Sequence, residues 1–201
     1  MAKSKNIFPE HVVISGPMFA GKTRELQRQY TVFKSCQFNV QVFKINIDKR
    51  YSEREIITHD GLKFNKDDVF IVRNAEEIKK KLKPETDVIM IDEAQFYGPE
   101  LVEMIDEWVE AGKIVVSAVL PTDYRGKTFG IAGDLLARAD RIIQLFPRCT
   151  YQENGVFCHR PATRTFRKTN VKDIIVVGGS EMYEPRCRLH HFVKKELNES
   201  Q

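Results

Sequence analysis

The feature that most constrains this chain is an eight-residue stretch, GPMFAGKT at residues 16–23, which matches the pattern G-x-x-x-x-G-K-[ST] at every position. An apolar run at residues 11–15 leads into it, and an amphipathic segment beginning at Thr23 follows it. The glycines let backbone N–H groups converge on phosphate oxygens, and the following helix adds the positive end of its dipole. The stretch therefore predicts a phosphate-binding loop in which Lys22 contacts the outer phosphates and Thr23 binds Mg²⁺. The predicted nucleotide contacts here are Gly16, Pro17, Met18, Phe19, Ala20, Gly21, Lys22 and Thr23.

Apolar runs alternate with amphipathic segments over the first two thirds of the chain. The runs that predict buried strands lie at residues 11–15, 40–45, 88–91, 114–119 and 142–145. Apolar residues at helical spacing predict helices at residues 23–36, 75–83 and 100–112. Continuously apolar strands separated by helices are typical of a parallel sheet covered on both faces. We therefore expect an α/β fold of the P-loop NTPase type, with helices flanking the sheet, over residues 1–146.

Two acidic residues follow the apolar run at residues 88–91, at the edge of the sheet where ligands of open α/β sheets bind. Asp92 is expected to hold Mg²⁺ together with Thr23, which leaves Glu93 free to accept a proton from a hydroxyl or a water. The alternative for Glu93 is a solvated acid in a loop. The phosphate-binding loop and the acid pair together indicate a nucleoside triphosphate and Mg²⁺, but they do not indicate what receives the phosphate.

The chain changes character at residue 148. Cysteines, prolines and short β-type runs at 163–167 and 174–177 replace the alternation of strands and helices. Three of the four cysteines lie in this part of the chain. We expect a small second lobe over residues 147–193, without a large core of its own, and a flexible tail over residues 194–201.

Charge and hydropathy exclude several classes of protein. Thirty-two Lys and Arg against 28 Asp and Glu leave a net charge of +4, which is small for a nucleic-acid-binding surface. No Lys/Arg stripe interleaves with aromatic residues, which argues against the alternative of a nucleic-acid-binding ATPase with a zinc-ribbon lobe. No apolar run approaches the ~20 residues of a membrane span, and no apolar segment of a secretion signal follows the N-terminal lysines. We expect an intracellular protein with no nucleic-acid and no membrane partner.

Four collinear stretches together resemble the type II thymidine kinase family: GPMFAGKT at 16–23, THDG at 58–61, DEAQF at 92–96 and GGSEMYEPRCRLHH at 178–191. The resemblance extends over residues 12–193. It implies transfer of the γ-phosphate of ATP to the 5′-hydroxyl of thymidine and deoxyuridine, giving dTMP for deoxynucleotide salvage. It also implies a cytoplasmic homotetramer with dTTP as feedback inhibitor. Another P-loop deoxynucleoside kinase is the alternative.

The resemblance assigns roles to single residues near the phosphates. Glu93 becomes the general base that takes the 5′-hydroxyl proton, and Arg50 lies close to the transferring phosphates, where a guanidinium offsets developing charge. Without the resemblance, Arg50 would be interpreted as a surface ion-pair residue. The remaining nucleotide contacts that it implies are Asp48, Asp92, Glu93, Ala94 and Gln95.

The thymidine pocket of this family is closed by a loop that binds the base through main-chain groups. The matching residues are Ile174, Ile175, Val176, Val177 and Gly178, with Tyr183 just beyond. Aromatic walls are expected from Phe96, Tyr124 and Phe129, and Met18 is expected near the base methyl; the alternative is that the phenylalanines are ordinary core residues. Pro121 and Tyr124 depart from the family pattern, and the tyrosine adds a hydroxyl near the pocket.

Two cysteine-containing knuckles hold structural Zn²⁺ in this family. The second is intact as Cys187-x-x-His190, whereas eight residues separate Cys149 from Cys158 in the first, which we interpret as a lengthened loop with a β-turn at residues 154–155. We expect a Cys₃His site that stabilises a zinc-ribbon-like lobe. The alternatives are His191 or His159 as the fourth ligand, or a Cys149–Cys158 disulfide. Cys36, at the end of the first predicted helix, is expected to be a small buried or half-buried residue outside the site.

Overall fold

The computed structural model of the protein describes residues 7–46, 64–171, 173–176 and 178–192. Three predicted site residues, Asp48, Arg50 and Val177, lie outside them, as does the stretch at 58–61.

Six parallel strands form the central sheet, in the order β3-β2-β4-β5-β1-β6. Their bounds are β1 His11–Ser15, β2 Val40–Ile45, β3 Val69–Val72, β4 Val88–Asp92, β5 Ile114–Val119 and β6 Arg141–Gln144. The central strands β1, β4 and β5 are buried along their whole length, which explains their continuous apolar sequences. The predicted α/β fold is confirmed. β3, which carries only four residues, was not predicted.

Helices cover both faces of this sheet. They are α1 Lys22–Ser35, α2 Ala75–Lys81, α3 Glu100–Glu110 and α4 Ala132–Ala137. Alternate residues of each strand enter opposite core layers: Val12 packs in the layer of α1, and Val13 packs in the layer of α3. α2 ends two residues earlier than predicted, because Leu82 and the residue before Pro84 leave the helical conformation. None of the helices in the described ranges is long and apolar enough to span a membrane.

The cysteine-containing part of the chain consists of two short antiparallel pairs. β7 Gln152–Glu153 pairs with β8 Val156–Phe157, and β9 Arg164–Arg167 pairs with β10 Tyr183–Arg186. Buried Cys149, Ala162 and Cys187 form a core cluster separate from the two layers of the sheet. The division of the chain into residues 1–146, 147–193 and 194–201 stays a prediction.

Two expectations for this region have different outcomes. The predicted turn is confirmed: Asn154 and Gly155 join β7 to β8 with φ values of 49° and 80°, as a type I′ hairpin requires. The β-type run at residues 174–177 is not a strand in its described residues 174–176. Its β-branched side chains favour a strand, but its carbonyl groups at 174 and 176 accept hydrogen bonds from side chains instead of a neighbouring strand.

Candidate active site

The predicted phosphate-binding loop connects β1 to the first turn of α1. Gly21 has φ +81°, in the left-handed region that favours glycine. At Gly16 a Cβ atom would lie 2.6 Å from the carbonyl oxygen of Leu145 and 2.8 Å from Cβ of Ala20, so only glycine fits. Lys22 is 8% exposed, and burial lowers the pKa of its ammonium group. The loop thus has the backbone and the buried cation that a phosphate group needs.

Thr23, in the first turn of α1, lies beside Asp92 at the end of β4, as their predicted role at Mg²⁺ requires. The Thr23 hydroxyl lies 3.3 Å from Oδ2 of Asp92, and Nζ of Lys44 lies 3.7 Å from the same oxygen. A hydroxyl and a carboxylate are both oxygen ligands of the kind that Mg²⁺ prefers. The two side chains therefore fit a magnesium ion bound beside the phosphates.

Glu93 has an unusual backbone conformation, with φ 54° and ψ 43°. This left-handed conformation costs roughly 1–3 kcal/mol in a non-glycine residue, and such strain clusters at functional sites. The Gln95 amide donates a hydrogen bond to the Glu93 carboxylate, while Oε1 of Gln95 accepts one from the N–H of Leu120 at 2.9 Å. Burial raises the pKa of Glu93, and the cation of Lys22 opposes this shift. The carboxylate is therefore oriented by its neighbours and held beside a cation.

One cavity of about 260 Å³ is lined both by residues predicted to act at the phosphates and by residues predicted to contact the nucleoside. Lys22 and Glu93 line it on the phosphate side, and aromatic residues and residues 174–176 and 178 line it on the other. The predicted substrate residues that line it are Met18, Phe96, Tyr124, Phe129, Ile174, Ile175, Val176, Gly178 and Tyr183. Phe96 and Phe129 pack edge to face with ring centroids 5.2 Å apart.

A larger cavity, of about 560 Å³, lies between the ends of β5 and β6 and the cysteine cluster. Arg160, Arg164 and Arg188 line it, but no residue of the phosphate-binding loop does. The smaller cavity is therefore the candidate active site.

The four predicted zinc ligands form one cluster. The ligand atoms of Cys149, Cys158, Cys187 and His190 all lie within 4.8 Å of one another. Sγ of Cys158 and Sγ of Cys187 are 3.9 Å apart, and Nδ1 of His190 is 3.5 Å from Sγ of Cys187. Tetrahedral Zn²⁺ with Zn–S bonds of about 2.3 Å requires ligand atoms about 3.8 Å apart. The donor set and its spacing therefore fit zinc.

The alternatives for the cysteine cluster are not seen in the described residues. All four cysteines are free thiols, so Cys149 and Cys158 form no disulfide. His191 lies 2.8 Å through Nε2 from the carbonyl oxygen of Tyr124, and the ring of His159 packs against Phe157. His190 is the histidine of the cluster. Cys36 lies apart from it, and the expectation that it is buried is wrong: it caps the C-terminal end of α1 and is exposed.

A sequence model of the thymidine kinase family matches residues 10–191. The chain belongs to the thymidine kinase family. The thymidine kinase of Thermococcus kodakarensis is 39% identical to it over 195 residues, which cover 92% of this chain and 94% of that protein.

Two solved structures are more distant from this thymidine kinase family member. The flagellar accessory protein FlaH of Methanocaldococcus jannaschii is 13% identical, with a TM-score of 0.49 over 75% of both chains. Domain III of the replication initiation protein DnaA of Thermotoga maritima is 16% identical, with a TM-score of 0.40 over 68% of this chain and 55% of that one. At these values neither carries an argument about the fold or function.

Sequence reasoning missed four residues that line the active-site cavity of this thymidine kinase family member: Leu120, Asp123, Thr165 and Arg167. Thr165 and Arg167 lie two residues apart on β9 and therefore project from the same face of that strand. The sequence alone carries no clear signal for them, because only the structure shows that these polar side chains are buried on one face of a short strand.

Proposed function

We propose that the protein transfers the γ-phosphate of ATP to the 5′-hydroxyl of thymidine, and of deoxyuridine, for deoxynucleotide salvage. The product from thymidine is dTMP. The observation that carries the proposal is that one cavity joins Lys22 and Glu93 to a pocket with aromatic walls that is also lined by residues 174–176 and 178. Membership of the thymidine kinase family supports both the donor and the acceptor.

The phosphates of ATP would bind to the main-chain N–H groups of residues 16–23 and to Lys22. Thr23 and Asp92 would hold Mg²⁺, which neutralises phosphate charge when it is bound. By family resemblance, Arg50 would offset charge on the transferring group, and Asp48, Ala94 and Gln95 would complete the nucleotide contacts. Gln95 also donates a hydrogen bond to Glu93, so it would orient that carboxylate as well.

Glu93 would act as the general base. Its carboxylate would accept the 5′-hydroxyl proton while the 5′-oxygen forms a bond to the γ-phosphorus and the bond to the β-phosphate oxygen of ADP breaks. A base works best when its pKa lies near the operating pH. Burial moves the pKa of Glu93 upward in that direction, and Lys22 favours the charged form.

The thymine base would bind between Phe96, Tyr124 and Phe129, with Met18 near its methyl group. Its O2, N3–H and O4 edge can pair with a peptide edge, and main-chain groups at residues 174–178 would supply this edge. The Tyr183 hydroxyl supports that segment, because it donates a hydrogen bond of 2.7 Å to the carbonyl oxygen of Val176.

The test is an assay of purified protein with Mg-ATP and either thymidine, deoxyuridine or deoxycytidine. We expect the monophosphates of thymidine and deoxyuridine, together with ADP. Turnover of deoxycytidine alone would assign another deoxynucleoside kinase activity. Salt-sensitive DNA binding with ATP hydrolysis but no nucleoside product would favour a nucleic-acid-binding ATPase.

We further propose that the Cys₃His cluster holds structural Zn²⁺ and that the protein is a cytoplasmic homotetramer inhibited by dTTP. The ligand spacing supports the first point, and family resemblance supports the others. Metal analysis, light scattering of the purified protein and inhibition by added dTTP test zinc, assembly and feedback separately.

A further inference from the structure

Arg167, at the end of β9, is a buried cation that binds a loop instead of an acid. The residue is 4% exposed, and the described part of the chain contains no carboxylate within ion-pair distance of it. Nη1 donates hydrogen bonds to the carbonyl oxygens of Val171, at 3.0 Å, and Asp173. Nη2 donates to the carbonyl oxygen of Ile174 at 2.8 Å and to the Tyr183 hydroxyl at 3.0 Å. One guanidinium group therefore fixes three main-chain carbonyls of the segment at residues 171–176, named here the base loop.

Two tyrosine rings enclose the same guanidinium. Its Cζ lies 3.8 Å from the ring centroid of Tyr124 and 5.3 Å from that of Tyr183. Aromatic faces attract cations at these distances, and the attraction grows when the cation is removed from water. Tyr183 then extends the network to the carbonyl of Val176. The base loop is thus bound at four carbonyl groups, either by Arg167 directly or through Tyr183.

The arrangement of Arg167 is not one that serves the stability of the fold alone. Its Nε is buried and has no hydrogen-bond partner within the described residues, and a buried unpaired donor destabilises a protein. Ile174 and Ile175 are 46% and 49% exposed, so the carbonyls of the base loop could turn to water if the guanidinium were absent. Loss of Arg167 would therefore release the base loop and leave the sheet intact.

We propose that Arg167 is a positioning residue that holds the base loop in the conformation that binds the nucleoside base. This inference rests on the proposed function. Main-chain groups that are fixed before the substrate arrives do not lose conformational entropy on binding, which lowers the KM for that substrate. The phosphate-binding loop makes no hydrogen bond to Arg167 among the described residues, so ATP binding is independent of it.

The experiment compares Arg167→Met, Arg167→Lys and the control Arg164→Met in the full chain. Arg164 lies on the opposite face of β9, and the only hydrogen bond of its side chain within the described residues goes to the carbonyl of Thr163. For Arg167→Met we expect the KM for thymidine to rise at least tenfold, with the KM for ATP within twofold and kcat within threefold of wild type. Arg167→Lys keeps the charge but cannot reach three carbonyls at once, so its KM for thymidine should be intermediate. Arg164→Met should match wild type.

Amide hydrogen exchange of the ligand-free variants provides a readout independent of activity. We expect faster exchange in Arg167→Met within residues 170–179, with unchanged exchange in β1, β4 and β5. Three outcomes overturn the proposal. They are a KM for thymidine within twofold of wild type in both Arg167 variants, equal rises in the KM for thymidine and the KM for ATP, and faster exchange throughout the sheet. If the wild-type protein does not phosphorylate thymidine, the proposed function fails, while exchange in the base loop still decides whether Arg167 positions it.

Discussion

His11 couples the stability of the sheet to pH. The side chain is 2% exposed at the start of β1, and its Nε2 lies 2.8 Å from the hydroxyl of buried Ser117 on β5. Its Nδ1 is buried without a hydrogen-bond partner among the described residues. Burial lowers the pKa of His11 to about 4, although the carboxylates of Asp106 and Asp140 oppose this shift. The native state therefore contains a neutral imidazole in a place where an imidazolium would lack hydration.

The direction of the pH effect follows from the lowered pKa. In the unfolded chain His11 takes up a proton near its ordinary pKa of 6.5, whereas the native state excludes that proton down to about pH 4. The contribution to stability is therefore complete above pH 6.5 and is lost as the pH falls from 6.5 to 4. At 1.36 kcal/mol per pKa unit, the shift corresponds to about 3 kcal/mol of unfolding free energy.

Urea denaturation of the wild-type protein and of His11→Gln, between pH 7.5 and 4.5, measures this contribution. Glutamine can donate to Ser117 but does not titrate. We expect the unfolding free energy of the wild-type protein to fall more steeply below pH 6.5, with a difference of about 2.5 kcal/mol accumulated between the two curves at pH 4.5. Acid-induced changes at the cysteine cluster affect both proteins equally. Parallel curves across this range would refute the reasoning.

Three further predictions concern the active site and the cysteine cluster. Glu93→Gln should lower kcat about 100-fold or more in steady-state kinetics, with an ATP affinity within threefold of wild type in a nucleotide titration. A near-normal kcat would show that another residue is the general base. Metal analysis should find one zinc per chain in wild type and in Cys36→Ser but none in Cys187→Ser, and equal zinc in all three would contradict the assigned ligands. Gly155→Ala, at φ +80°, should destabilise the β7–β8 hairpin by about 1 kcal/mol in thermal denaturation, whereas an unchanged transition would exclude strain there.

The sheet and the phosphate-binding loop could be predicted because their sequences satisfy local and global requirements together. β1, β4 and β5 are rich in β-branched residues and are buried on both faces, so their apolar runs indicate the strands directly. The same applies to Asn154 and Gly155, because asparagine tolerates the positive φ of a type I′ turn and glycine, without a Cβ atom, adopts it freely. In these places, the residue types themselves indicate the backbone conformation.

The base loop could not be predicted in this way, because its conformation is imposed by residues distant in sequence. Ile174, Ile175 and Val176 have the β-propensity of a strand, but that propensity mostly reports packing against a neighbouring strand. Here the guanidinium of Arg167 and the hydroxyl of Tyr183 occupy carbonyls that a strand would have used. No spacing rule joins an arginine to carbonyls four, six and seven residues away, so only the folded chain identifies this contact.

β9 connects the phosphate side of the cavity to the base side. The N–H of Met18 in the phosphate-binding loop donates a hydrogen bond of 3.0 Å to the hydroxyl of Thr165, and Arg167 binds the base loop two residues further on. β9 pairs with β10, and β10 ends directly before Cys187 of the cysteine cluster. Loss of the proposed zinc would free the end of β10 that pairs with β9, and we therefore expect the base loop to loosen first. Chelation should therefore raise the KM for thymidine before it affects the KM for ATP, whose phosphates bind to a loop anchored by the sheet itself.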